Sequence, residues 1–166
     1  MILIAYDGSD DAKAAIEHAA HLMPGQPAVV VTVWEQYIQL LTRYPAPGAL
    51  LIGDDSGKID ESSREAAQDK AEEGAGLARR HGLEASARAV AREDSVAETL
   101  LCEADRSNAS AIVSGSRGLS GLSSLFLGSV SHALLQHADR AVIVVPSPKV
   151  AQKRNEKLRT FAGGTG

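Results

Sequence analysis

Short apolar runs alternate with helix-like stretches along most of the chain, and this alternation restricts the fold more than any other feature. The runs are Ile2 to Tyr6, Ala28 to Trp34, Ala85 to Ala91, Ala109 to Val113 and Ala141 to Val145. Each has strand length, and the run at 28–34 (AVVVTVW) is β-branched and apolar on both faces, as a strand buried from two sides must be. Between them lie helical patterns. Ser9 or Asp10 can cap a first helix in which Ala14, Ala15, His18, Ala19 and Leu22 recur at helical spacing, before Pro24-Gly25 ends it. A heavily charged helix is expected from Glu61 to His81, with Ala66, Ala67, Ala71, Leu77 and Ala78 inward and Gly82 as its stop. Asp94 or Ser95 caps a third from Val96 to about Arg106, with Val96, Leu100, Leu101 and Ala104 inward, and a fourth runs from Gly128-Ser129 to His137. Five strands in alternation with helices predict an α/β fold: a five-stranded parallel sheet with helices on both faces, joined by right-handed crossovers.

Two segments stand apart. Glu35 to Asp60 is broken by Pro45, Pro47, Gly48, Gly53 and Gly57, although Ile38 to Leu41 can form a helical turn. It reads as a long excursion after the second strand, of the kind that serves as a lid or stays disordered. After Pro148 the composition becomes basic and ends in Gly163-Gly164-Thr165-Gly166, so one domain over 1–148 and a flexible basic tail over 149–166 are expected.

Composition narrows the function. Aromatic residues are only 4% of the 166, so the core is built from Ala, Val, Leu and Ile. A net charge of −4 and a pI near 5.7 argue against nucleic acid as a partner. Met1 leads into Ile2-Leu3-Ile4-Ala5 without a basic stretch and Asp7 interrupts the run, so neither a secretion signal nor membrane association is expected. Cys102 is the sole cysteine, which excludes an intrachain disulfide and suits the cytoplasm.

Ligands of open α/β sheets bind beyond the carboxyl ends of the strands, where strand order reverses. Asp7 falls at such an end, and so does the run from Gly115 to Ser131 after the fourth strand. Gly115 and Gly118 lack a Cβ, so backbone there can turn sharply and approach a ligand. Gly128 and Ser129 open a helix whose unpaired N–H groups and positive dipole end suit an anion, and the hydroxyls of Ser129 and Ser131 add donors. Together they suit a di- or triphosphate without a dedicated lysine. Asp7 could instead cap the first helix, and Arg117 is as well explained by an exposed loop as by a phosphate contact. His18 and His21 read as surface or half-buried helix residues, and His132 and His137 match no zinc spacing. Cys102 reads as a small buried residue, and Trp34 reads as ordinary packing or, alternatively, as a wall of the base pocket.

The spacing Gly115-x2-Gly118-x9-Gly128-Ser129 resembles the ATP-binding signature of the universal stress protein family. The opening ILIAYDGS, the segment AIVSGSRG at 111–118 and the closing strand Ala141 to Pro146 resemble that family as well, over roughly Met1 to Pro148. The resemblance implies a Rossmann-like, adenine nucleotide alpha hydrolase-like fold with strand order 3-2-1-4-5. It also implies a homodimer paired through Ala141 to Val145 and bound ATP, with an accompanying Mg. Carried over by position, Asp7 would bond the ribose, Ala5 and Val33 would flank adenine, and Ser114 and Gly115 would lie near the ribose and α-phosphate. Gly118, Gly128, Ser129 and Val130 would hold phosphates, assisted by Ser131 and Arg117. Ser114 stands where the family commonly has a larger apolar residue.

The expected role is a nucleotide-dependent regulatory module in stress response, with at most slow ATP hydrolysis and a protein partner of unknown identity. There is no Gly-x4-Gly-Lys-Ser/Thr loop and no evident catalytic group. The alternatives are an enzyme of the same superfamily that uses ATP for adenylation or pyrophosphate release, and a dimerisation module that binds no nucleotide.

Overall fold

The computed structural model describes residues 1–44, 56–119 and 127–162, with the side chains of 157, 158 and 160–162 outside the description. The strands are β1 (Ile2–Ala5), β2 (Pro27–Trp34), β3 (Glu84–Ala91), β4 (Ala111–Gly115) and β5 (Ala141–Val145). The helices are α1 (Asp10–Leu22), α2 (Tyr37–Arg43), α3 (Ser56–Arg80), α4 (Val96–Arg106), α5 (Ser129–His137) and α6 (Pro148–Ala162). All pairings are parallel and the sheet order is β3-β2-β1-β4-β5, so the chain winds outward in both directions from β1.

Strand periodicity divides the core into two layers. Ile2, Ile4, Tyr6 and Val30 pack with α1 and α3, while Leu3, Val29, Val31 and Ile112 pack with α4 and α5. Small residues let the helices sit close to the sheet: α1 buries Ala12, Ala14, Ala15 and Ala19, and α3 buries Ala67, Ala71, Ala75 and Ala78. Ala66 is exposed, whereas Leu77 is partly buried against the core as expected, and Gly74 and Ala75 join the buried face. His18 and Leu22 likewise point outward. Ser9 caps α1 by accepting the Ala12 N–H at 3.2 Å, and Ser95 caps α4 by accepting the Glu98 N–H at 3.1 Å. Among the described residues no helix is long and apolar enough to cross a membrane.

Besides shifts of one or two residues at strand ends, three regions differ from the sequence reading. The excursion after β2 contains α2, and α3 begins at Ser56, five residues before Glu61; residues 45–55, with Pro45, Pro47, Gly48 and Gly53, lie outside the description. β4 runs two residues further than expected, because Ser114 and Gly115 continue the pairing with Val144 and Val145. The stretch after β5 forms α6 rather than an irregular tail. Pro148 takes its first position, where a missing N–H costs nothing, and the Ser147 carbonyl accepts from Val150 and Ala151, both at 2.9 Å. Gly163 to Gly166 lie outside the description.

Candidate functional site

β1 delivers Asp7 to the middle of the sheet's carboxyl edge, where a tight turn holds it. Gly8 adopts φ +85°, a conformation that glycine takes without strain. The carboxylate then accepts the Ser9 N–H on Oδ1 at 3.0 Å and the Leu119 N–H on Oδ2 at 3.2 Å. The capping role belongs to Ser9, which leaves Asp7 to bridge β1 and the loop after β4. That bridge requires Gly118: a Cβ there would lie 2.6 Å from Oδ2 of Asp7.

The loop after β4 is tied down at both described ends. Ser116 donates its N–H to Val145 at 2.7 Å and its hydroxyl to the buried Asp11 carboxylate at 2.7 Å, and its carbonyl accepts the Gly128 N–H at 2.8 Å. Residues 120–126 of the loop lie outside the description. Ser131, on the first turn of α5, donates its hydroxyl to the Gly115 carbonyl at 2.6 Å, so this hydroxyl braces the helix against β4 instead of offering a proton to a ligand. Gly115 also differs from the sequence reading. Its missing Cβ does not open space for a ligand, since a Cβ would lie 2.7 Å from the Asp11 carbonyl carbon and 2.8 Å from the Ala12 nitrogen. Gly115 is there to let α1 press on β4.

Between these parts lies a cavity of about 320 Å³. All eleven residues singled out from sequence line it: Ala5, Asp7, Val33, Ser114, Gly115, Arg117, Gly118, Gly128, Ser129, Val130 and Ser131. Tyr6, Ala12, Val31, Val96, Leu100 and Leu119 line it too, and the sequence reading missed them as wall residues. Two of these pairings were visible in principle: Val31 shares a strand face with Val33, and Val96 and Leu100 are one helical turn apart. His18, His21, His132 and His137 are exposed, and neither Trp34 nor Cys102 reaches the cavity wall.

The sheet order gives the cavity two unlike sides. Toward β2 and α4 it is apolar, through Val31, Val33, Val96 and Leu100. Toward β4 and α5 it is polar backbone. The first bond within α5 runs from His132 to Gly128, so the N–H groups of Ser129, Val130 and Ser131 have no partner inside the helix, and Gly128 supplies no side-chain cap. They face the cavity with the positive end of the helix dipole. The Arg117 guanidinium adds positive charge nearby, its Nε 3.8 Å from Oδ2 of Asp11. Asp7 lies between the two sides, at the point where strand order reverses. Such a cavity can take a flat apolar group at one end and an anion at the other.

The model of the universal stress protein family matches residues 1–146. The chain belongs to this family. Universal stress protein YxiE of Bacillus subtilis is 30% identical over 156 residues, covering 87% of this chain and 97% of that protein. Among solved structures, hypothetical protein MJ0577 superposes with a TM-score of 0.70 at 19% identity, covering 87% of this chain and 94% of its own. The universal stress protein of Archaeoglobus fulgidus, solved in complex with dAMP, gives a TM-score of 0.54 at 23% identity, covering 87% of this chain and 95% of its own. These structures share the fold. The whole cavity wall lies within the matched residues 1–146, whereas α6 lies beyond them.

Proposed function

We propose that the cavity seats an adenine nucleotide and that its occupancy makes the chain a regulatory module in stress response. The carrying observation is a single cavity with an apolar slot on one side, three helix-terminal N–H groups on the other and a fixed carboxylate between them. Adenine packs between Ala5 and Val33, extended by Val31, Val96 and Leu100. Asp7 accepts ribose hydroxyls on lone pairs that the Ser9 and Leu119 amides leave open, since each carboxylate oxygen has two. The amides of Gly118, Ser129 and Val130 take the phosphates beside Gly128, whose own N–H is bound to the Ser116 carbonyl, with Arg117 at the rim. The dAMP complex of the Archaeoglobus fulgidus protein supports the ligand class. ATP, accompanied by Mg, is the form assigned here, on the likeness of Gly115-x2-Gly118-x9-Gly128-Ser129 to the family's ATP-binding signature. Among the described residues no base lines the phosphate end, and hydrolysis is slow at most.

Isothermal titration with ATP, ADP and AMP tests this. Saturable binding is expected, tightest for ATP, and absence of heat at high micromolar nucleotide overturns the reading. Asp7→Ala is expected to weaken binding by about 1–3 kcal/mol, the scale of hydrogen bonds to a charged group; unchanged affinity removes the ribose assignment.

The same reading pairs two copies through β5. This strand is an edge of the sheet, and its sequence AVIVV has neither charge nor proline to discourage pairing. Light scattering at micromolar concentration is expected to give twice the 17.4 kDa chain mass, and a monomer refutes the seam. The cytoplasm, where Cys102 stays reduced, is the compartment assigned.

A further inference from the structure

A second hollow, of about 360 Å³, lies beside the first cavity. Arg117, Gly118 and Leu119 line both, and so form a common wall. The other walls are the turn entering α1 and the start of α6, which contributes Ser147, Lys149 and Lys153. Lys149 and Lys153 stand four residues apart and share one face of α6. Val150 between them is buried, which fixes this turn of the helix against the body of the protein. Neither lysine has an ion-pair partner among the described residues. Like charges at this spacing repel, and an anion lodged between them removes the repulsion.

Two carboxylates border the hollow, and they are not equivalent. Asp11 is only 5% exposed, takes the Ser116 hydroxyl at 2.7 Å and faces Arg117 at 3.8 Å, so its charge is answered within the protein. Asp10 is exposed and stands alone against two ammonium groups. We propose that this hollow is a subsite for a phosphoryl anion, held by Lys149 and Lys153 against the Arg117–Leu119 wall. A phosphoryl group carries about −1.5 to −2 charges near neutral pH, which matches the two lysines. The anion is either the terminal phosphate of a nucleotide seated next door, an assignment that rests on the function proposed above, or a free phosphate, which does not. Both lysines lie beyond the residues that the family model matches, 1–146.

The test uses the full chain and the double variant Lys149→Gln/Lys153→Gln, whose thermal unfolding is expected to be unchanged because both side chains are exposed. Each protein is titrated with AMP, ATP and inorganic phosphate. If the nucleotide supplies the anion, the variant loses about fivefold in ATP affinity, the scale of two exposed ion pairs, and keeps its AMP affinity within about twofold. If free phosphate supplies it, the ratio of ATP to AMP affinity is unchanged, while phosphate binds the unaltered chain at millimolar concentration and fails to bind the variant. An unchanged ratio together with equal phosphate binding overturns the subsite. Failure of both nucleotides to bind either protein overturns the nucleotide reading instead, and the phosphate titration then decides the subsite by itself.

Discussion

Gly118→Ala would place a Cβ 2.6 Å from Oδ2 of Asp7, against an ordinary contact distance of about 3.5 Å. The carboxylate has to move. Gly118 does not adopt a positive φ, so alanine brings no backbone strain of its own. The displaced carboxylate gives up the Leu119 N–H and loosens its hold on the Ser9 N–H. Hydrogen bonds to a charged acceptor contribute about 1.5–3 kcal/mol, and water at the exposed Leu119 amide replaces part of that, leaving a loss of about 1–2 kcal/mol. Against it stands a gain of about 0.4–1 kcal/mol from the smaller entropy of the unfolded chain. The net change in the otherwise unaltered protein is a modest destabilisation. In an Asp7→Ala background the obstacle is absent, and the same substitution is expected to be neutral or stabilising. Urea unfolding of the four proteins of this cycle measures the coupling, expected at about 1–2 kcal/mol with unchanged m-values. Effects that add to within about 0.5 kcal/mol refute the claim that Gly118 exists to admit the Asp7 carboxylate.

Gly115→Ala meets the backbone of α1, which cannot swing aside as a side chain does, so its cost is expected at about 1–3 kcal/mol or more, with the melting temperature falling about 2–4 °C per kcal/mol. Asp11→Ala leaves the fully buried Ser116 hydroxyl without its acceptor; denaturation is expected to show a loss of about 1–3 kcal/mol, part of it recovered by adding Ser116→Ala. Burial, then the 2.9 Å hydrogen bond to Glu73 and the charges of Glu73 and Asp7, push the Tyr6 phenol above its usual pKa of 10.0. The folded state therefore keeps Tyr6 neutral while the unfolded chain ionises it, so this contribution is complete below pH about 10 and is lost as pH rises beyond it. Urea midpoints followed through that range are expected to fall, and to fall less steeply in Tyr6→Phe.

The fold was legible wherever strand chemistry and helix punctuation agreed. β2 and β5 are runs of β-branched residues, and α1 and α4 begin at serines that cap them in the structure. It was less legible where a tertiary partner overrides a local signal. Ser114 and Gly115 read as loop, yet β5 supplies the pairing that makes them strand. Gly57 reads as a breaker, yet α3 passes through it. Pro148 reads as a stop, yet a proline that ends one element is well suited to the first turn of the next. For the candidate site, position along the chain revealed which residues meet, because strand ends in a parallel sheet gather on one edge. It did not reveal what each glycine is for. The Cβ-free face of Gly115 turns to α1 and that of Gly118 to Asp7, a distinction set by the packing of segments more than a hundred residues apart.

The most direct test of a nucleotide seat follows the backbone amides by ¹⁵N–¹H correlation spectra while ATP is added. The account predicts saturable shifts concentrated at Asp7, Gly118 and Ser129 to Ser131, with β3 and the outer face of α3 unmoved. Unchanged spectra at millimolar ATP, or shifts gathered away from the β1–β4 crevice, contradict it.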